Sequence, residues 1–129
     1  IADFGTILSL TKLSAKGALI GGQLAPGFLT QLKTIEKYTK NLKTPKKYEM
    51  PDQDFLFNTE DAILKGGLNS LIGLINLSFN PSKDILITCG GDSELITSIL
   101  KNKYKEVINE PNLVMKGMIS HLKCSKFLS

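Results

Sequence analysis

Along this chain the spacing of apolar and polar positions changes period several times, and each change marks a candidate element. Residues 7–13, ILSLTKL, alternate in part and predict a strand. SAKG then reads as a turn, and ALIGGQLAPG, residues 18–27, as a second extended segment closed by a proline-glycine break. Together they predict a β-hairpin whose first strand carries DFGT, Asp3 to Thr6, at its beginning. From Phe28 the positions Leu29, Leu32, Ile35, Glu36, Tyr38 and Leu42 suit an amphipathic helix, with Lys33, Lys37, Lys40 and Lys43 on its outer face. A solvated lysine face is the simpler reading of those four.

KTPKKYEMPDQDF holds two prolines and mixed charges and predicts a loop within one domain. Residues 58–79, NTEDAILKGGLNSLIGLINLSF, predict a long helix that Thr59 or Asn58 can cap, with Glu60 and Asp61 at its positive end. Gly66, Gly67 and Gly73 inside it each cost a helix close to ~1 kcal/mol, so a close neighbour is expected: another helix, a second subunit or a ligand. DILITCGGD then predicts a buried parallel strand running into paired glycines. SELITSILKN predicts a helix capped by Ser93 or Asp92, KEVINEPN a short strand and turn, and LVMKGMISHLKCSKFL a closing helix, frayed at its end. The predicted order is hairpin, helix, helix, strand, helix, strand, helix, with no internal repeat.

Composition narrows the class. The 129 residues suit one domain with 42% apolar and 22% charged positions. No apolar run is long enough to cross a membrane, and the N-terminus lacks the basic flank and apolar core of a signal peptide. The chain starts at Ile1 rather than Met, on what reads as core strand, and this suggests a fragment with chain missing upstream. The net charge is +4 and every basic residue is a lysine. Bidentate recognition of phosphate or guanine by a guanidinium is thereby excluded within the chain, and the lysine excess alone does not argue for nucleic acid. Cys89, Cys124 and His121 cannot make a short-spaced zinc site, and no GxSxG elbow supports a nucleophilic serine. Two free thiols in a reducing compartment are expected.

Glycine-bearing turns hold the remaining chemistry. In DFGT the carboxylate of Asp3 can hold a cation, Gly5 lets the backbone approach a phosphate, and the Thr6 hydroxyl can donate to phosphate oxygen; an ordinary β-turn would also use these types. GGQLAPG reads first as a constrained turn into a helix. In CGGD, Gly90 and Gly91 stand at a strand-to-helix turn where a nucleotide could lie against backbone amides, or where a tight connection simply needs them. Thr59 can bind a polar group of a substrate or serve only as a cap.

Taken in order, DFGT, GGQLAPG, NTEDAI with KGG, CGGD and NLVMKGM closely resemble the second half of type III pantothenate kinase. That family belongs to the acetate-kinase, sugar-kinase, Hsp70 and actin superfamily. The resemblance spans essentially the whole chain and implies an α/β, ribonuclease-H-like (actin-like ATPase) domain, with a mixed sheet that starts in a hairpin and is flanked by helices. It implies ATP-dependent phosphorylation of pantothenate to 4'-phosphopantothenate, the first step of coenzyme A synthesis, by a cytoplasmic homodimer. By the same resemblance Asp3 binds a monovalent cation, potassium or ammonium; Gly5, Thr6, Gly90 and Gly91 bind ATP, with magnesium; and Thr59 contacts pantothenate. Cys89 stands where many members have threonine. The family's aspartate-glycine-asparagine and glycine-x-aspartate-arginine motifs, the second with the general base, would precede Ile1. No catalytic residue is therefore expected in this chain, read as residues 1–129 of a C-terminal domain inactive alone. The alternatives are a regulatory relative of the transcription-accessory type and a non-enzymatic dimerisation fragment.

Overall fold

A computed structural model describes residues 1–125 as one mixed sheet with four helices. Strands β1 (Ala2–Phe4), β2 (Ile7–Leu13) and β3 (Leu19–Pro26) are followed by helices α1 (Phe28–Tyr38) and α2 (Thr59–Ser78). Then come β4 (Leu86–Cys89), α3 (Ser93–Leu100), β5 (Val107–Asn109) and α4 (Leu113–Cys124). The sheet order is β3-β2-β1-β4-β5, antiparallel from β3 to β1 and parallel from β1 through β4 to β5.

The predicted hairpin is β2–β3, but DFGT is not the start of its first strand. Ala2–Phe4 form the separate central strand β1, and Gly5-Thr6 turn the chain back into β2, with the Gly5 N–H donating to Ile7 O at 3.3 Å. Two residues are too few to read as a turn from periodicity, which is why the strands merge in the sequence pattern. The predicted α1 also runs too far: it ends at Tyr38, so Leu42, Lys40 and Lys43 belong to the following loop. Its buried residues are Phe28 and Leu32, whereas Leu29 and Tyr38 are exposed. Residues 126–128 of the predicted closing helix lie outside the described residues.

One face of the sheet carries the core. Ala2 and Phe4 pair with Leu10 and Leu8, and all four are buried with Leu86 beneath α1, α2 and α3. Asp3 and Ser9, paired on the opposite face, are only half-buried. Burial of α2 follows Ile63, Leu64, Leu68, Leu71, Ile72 and Ile75, a helical stripe against that core. Asn58, not Thr59, caps the helix: its Oδ1 accepts from the Glu60 N–H at 2.8 Å. Of the three helical glycines, Gly67 has the expected close neighbour, since a Cβ there would lie 3.2 Å from Phe28 and Leu32 of α1. Gly66 and Gly73 meet nothing within 4 Å. At α3 neither Asp92 nor Ser93 caps through its side chain; Asp92 is the N-cap by position only. Instead a buried hydroxyl pair ties this helix to the sheet: Thr88 and Thr97 Oγ1 lie 2.6 Å apart, and the Thr97 hydroxyl donates to Ser93 O. No described residue of α4 is buried.

Candidate functional site

The carboxyl end of β1 and the carboxyl end of β4 lie side by side, because Asp3 is paired with Cys89 in parallel register. In open α/β sheets the turns leaving adjacent parallel strands form the natural crevice for ligands. Here they are the Gly5-Thr6 turn and the Gly90-Gly91 turn. The Asp92 N–H donates to Phe4 O at 3.2 Å and closes one turn onto the other. Gly90 has φ +91°, and a Cβ on it would lie 2.5 Å from Phe4 O and 2.6 Å from Asp3 Oδ1. Glycine is required there on both counts, conformation and space.

From the other side the start of α1 is fixed on the same turn. The Gly27 N–H donates to Thr6 O at 2.9 Å, and the Thr30 hydroxyl donates to the same oxygen at 2.7 Å. A Cβ on Gly27 would sit 2.0 Å from Gly5 O, so the PG break is a close approach of two backbones. Between the two turns and α1 opens a cleft of about 470 Å³ that is lined by Gly5, Thr6 and Gly91, and also by Asp92, Lys33 and Lys37.

Thus Gly5, Thr6 and Gly91 line one cleft together; Gly90 and Asp3 do not line it but pack against each other at the adjoining strand ends. Thr59 is elsewhere: it lines a separate depression of about 430 Å³ with Gln31, Ile35, Leu42 and Gly66. Helix α1 stands between the two, one face to each. Lys33 and Lys37, read from the sequence as a solvated face, stand at the cleft wall with Thr30 and Thr34. Their spacing of 30, 33, 34, 37 was the available signal, but which neighbour that face meets depends on the fold.

Asp3 and Cys89 share the half-buried side of the strand pair. Burial, followed by the charge of the Asp3 carboxylate and a hydrogen bond to it, pushes the Cys89 thiol up to about 11. The thiol is therefore neutral at physiological pH. Both cysteines are free, Cys89 buried and Cys124 exposed. Among the described residues no group of three or more His, Cys, Asp or Glu side chains could hold a metal ion. Oxygen donors beside Gly90, the Asp3 carboxylate and the Phe4 carbonyl, are of the kind that hard cations take. No described helix is long and apolar enough to cross a membrane.

A mixed α/β domain in which two strand-end turns and a helix start enclose one open, lysine-walled cleft belongs to the class of α/β domains that bind ligands at the ends of adjacent parallel strands. The chain belongs to the type III pantothenate kinase family, whose model matches residues 1–80. It is 33% identical over 128 residues to the type III pantothenate kinase of Synechococcus sp. (strain JA-3-3Ab), covering 92% of this chain and 51% of that protein. Against the type III pantothenate kinase of Porphyromonas gingivalis (strain ATCC BAA-308 / W83) it is 26% identical over 125 residues, covering 92% and 50%. The chain spans about half the length of the curated relatives it matches. In fold it is similar to a Campylobacter jejuni protein described as a Baf family transcriptional activator, with a TM-score of 0.77 at 20% identity over 98% of this chain and 58% of that one.

Proposed function

We propose that this chain is the C-terminal domain, ribonuclease-H-like in fold, of a type III pantothenate kinase. The intact protein then transfers the terminal phosphoryl group of ATP to pantothenate, and it does so as a cytoplasmic homodimer. The observation that carries this reading is the convergence of the Gly5-Thr6 and Gly90-Gly91 turns on one cleft. Backbone N–H groups and a hydroxyl at strand-to-turn junctions suit an anion, and phosphoryl transfer depends mainly on positioning and charge stabilisation. Asp3 would hold a potassium or ammonium ion with help from the Phe4 carbonyl, and such an ion supplies positive charge next to the phosphates. Thr59 as a pantothenate contact rests on the resemblance alone, since its depression is separated from the cleft by α1. Fold likeness to a Baf family protein at 20% identity carries no function to this chain.

The general base and the first phosphate motif are expected in the half that the relatives carry beyond this chain. The test is a phosphorylation assay with ATP, magnesium, potassium and pantothenate on residues 1–129 and on the full-length protein. Turnover by the full-length protein alone, with a potassium dependence weakened by Asp3→Ala, supports the reading. A folded, dimeric full-length protein without turnover overturns it in favour of a regulatory relative.

A further inference from the structure

We propose that Lys33 and Lys37 carry the polyphosphate of the bound nucleotide, with Lys33 serving the phosphates nearest the Gly5-Thr6 turn. This rests on the reading of the cleft as a nucleotide site and adds the side chains that take up the charge. Helix α1 has two opposed faces. Phe28 and Leu32 are buried against Gly67 of α2, while Thr30, Lys33, Thr34 and Lys37, at i, i+3, i+4 and i+7, line the cleft.

The helix is held at its start, because Thr6 O accepts from both the Gly27 N–H and the Thr30 hydroxyl. Lys33 therefore stands about 4.5 Å along the axis from the residue bonded to the turn, and Lys37 about 10 Å. The two threonine hydroxyls on this face are already engaged, Thr30 with Thr6 O and Thr34 with Thr30 O. Among the described residues the ion pairs use Lys12, Lys43, Lys65 and Lys116; neither Lys33 nor Lys37 has a carboxylate within ion-pair distance. Lys37 lies 5.4 Å over the Tyr38 ring, which leaves Lys33 the freer of the two. With no arginine in the chain, a lysine on a flexible stem is the available cation, and as a compact point charge it needs no bidentate geometry.

The test uses Lys33→Met, Lys37→Met and the double variant in the full-length protein, titrated with AMP, ADP and ATP at about 20 mM and about 500 mM salt. Both side chains are exposed, so the variants should fold and melt like the parent. The double variant should lose about tenfold in ATP affinity but at most about twofold for AMP, and the ATP deficit should shrink at high salt as screening removes the Coulomb contribution. Lys33→Arg should restore most of the loss in the single variant. A purely structural role would shift all three nucleotides alike and independently of salt, and would overturn the proposal. Unchanged ATP affinity in the double variant overturns it while leaving the nucleotide reading intact. Failure of the unmodified protein to bind any of the three overturns both.

Discussion

Gly90 packs its α-carbon against the Asp3 carboxylate: a methyl group at that position would stand 2.6 Å from Asp3 Oδ1 and 2.5 Å from Phe4 O. One residue thus sets how closely the β4–α3 turn approaches the end of β1. The parallel pairing of Asp3 with Cys89 brings the two strands together, and Gly90 lets the chain leave β4 without pushing the acidic side chain aside.

Gly90→Ala should therefore be severe for a substitution of one methyl group. A left-handed φ of +91° and a backbone clash act together, for an expected loss of about 2–4 kcal/mol. Chemical denaturation of residues 1–129 reads the loss directly. An alanine variant within 0.5 kcal/mol of the parent would mean that the turn relaxes freely and does not fix Asp3.

Thiol chemistry tests the other side of the same pair. Cys89 is buried and its thiol is pushed up to about 11 by burial and by the Asp3 carboxylate, so almost none is thiolate at pH 8. Cys124 is exposed. One thiol per chain should react quickly with an alkylating reagent at pH 8, and the second only on unfolding. Peptide mapping should find the fast label on Cys124; rapid labelling of Cys89 in the native protein would contradict the packing of β4 beside β1.

Much of this architecture was legible because period carries it. The buried stripe of α2 and the apolar run of β4 follow from spacing alone, and Asn58 was one of two caps the sequence allowed. What failed was local. The two-residue turn at Gly5-Thr6 hides inside an extended pattern, so β1 and β2 read as one strand. The helical spacing through Leu42 outlasts the helix, which stops at Tyr38 with the Thr39 hydroxyl turned back to Ile35 O. At the site, each glycine turn had an ordinary reading, and only their order along the chain singled them out. Their convergence depends on the parallel pairing of β1 and β4, which are far apart in sequence. The lysines of α1 were visible as a face, but what they face is a tertiary fact.

Acid should expose a second fixed carboxylate. Asp84 Oδ2 accepts from the Asn80 N–H at 2.7 Å and from Lys12 Nζ at 3.1 Å. The backbone N–H first, and Lys12 after it, hold this carboxyl below its ordinary 3.8. The folded state therefore binds its proton less readily than the unfolded chain. The contribution is complete above the unfolded value and is lost as pH falls through it toward the folded value. Between about pH 5 and 3 the parent should lose up to about 1 kcal/mol more stability than Asp84→Asn, which keeps an acceptor for Asn80 but has no charge to lose. Parallel pH profiles for the two proteins would show Asp84 to be energetically silent.

Gly73 separates the isolated domain from an assembled one. It lies inside α2, a Cβ there meets nothing within 4 Å, and the helix has no structural need of glycine at that point. In residues 1–129 alone, Gly73→Ala should raise stability by about 0.5–1 kcal/mol, because alanine has less backbone freedom to lose on folding. In a domain of this size that is about 2–5 °C in melting temperature. Gly67→Ala is the internal control: its Cβ would come 3.2 Å from Phe28 and Leu32, so it should stabilise less or destabilise. The same Gly73→Ala change in the longer protein proposed above tests the proposed homodimer. If a second subunit packs closely on this stretch of α2, the added methyl should weaken association in sedimentation velocity while the isolated domain gains stability. Stabilisation of both forms with unchanged association would place any subunit contact on another surface.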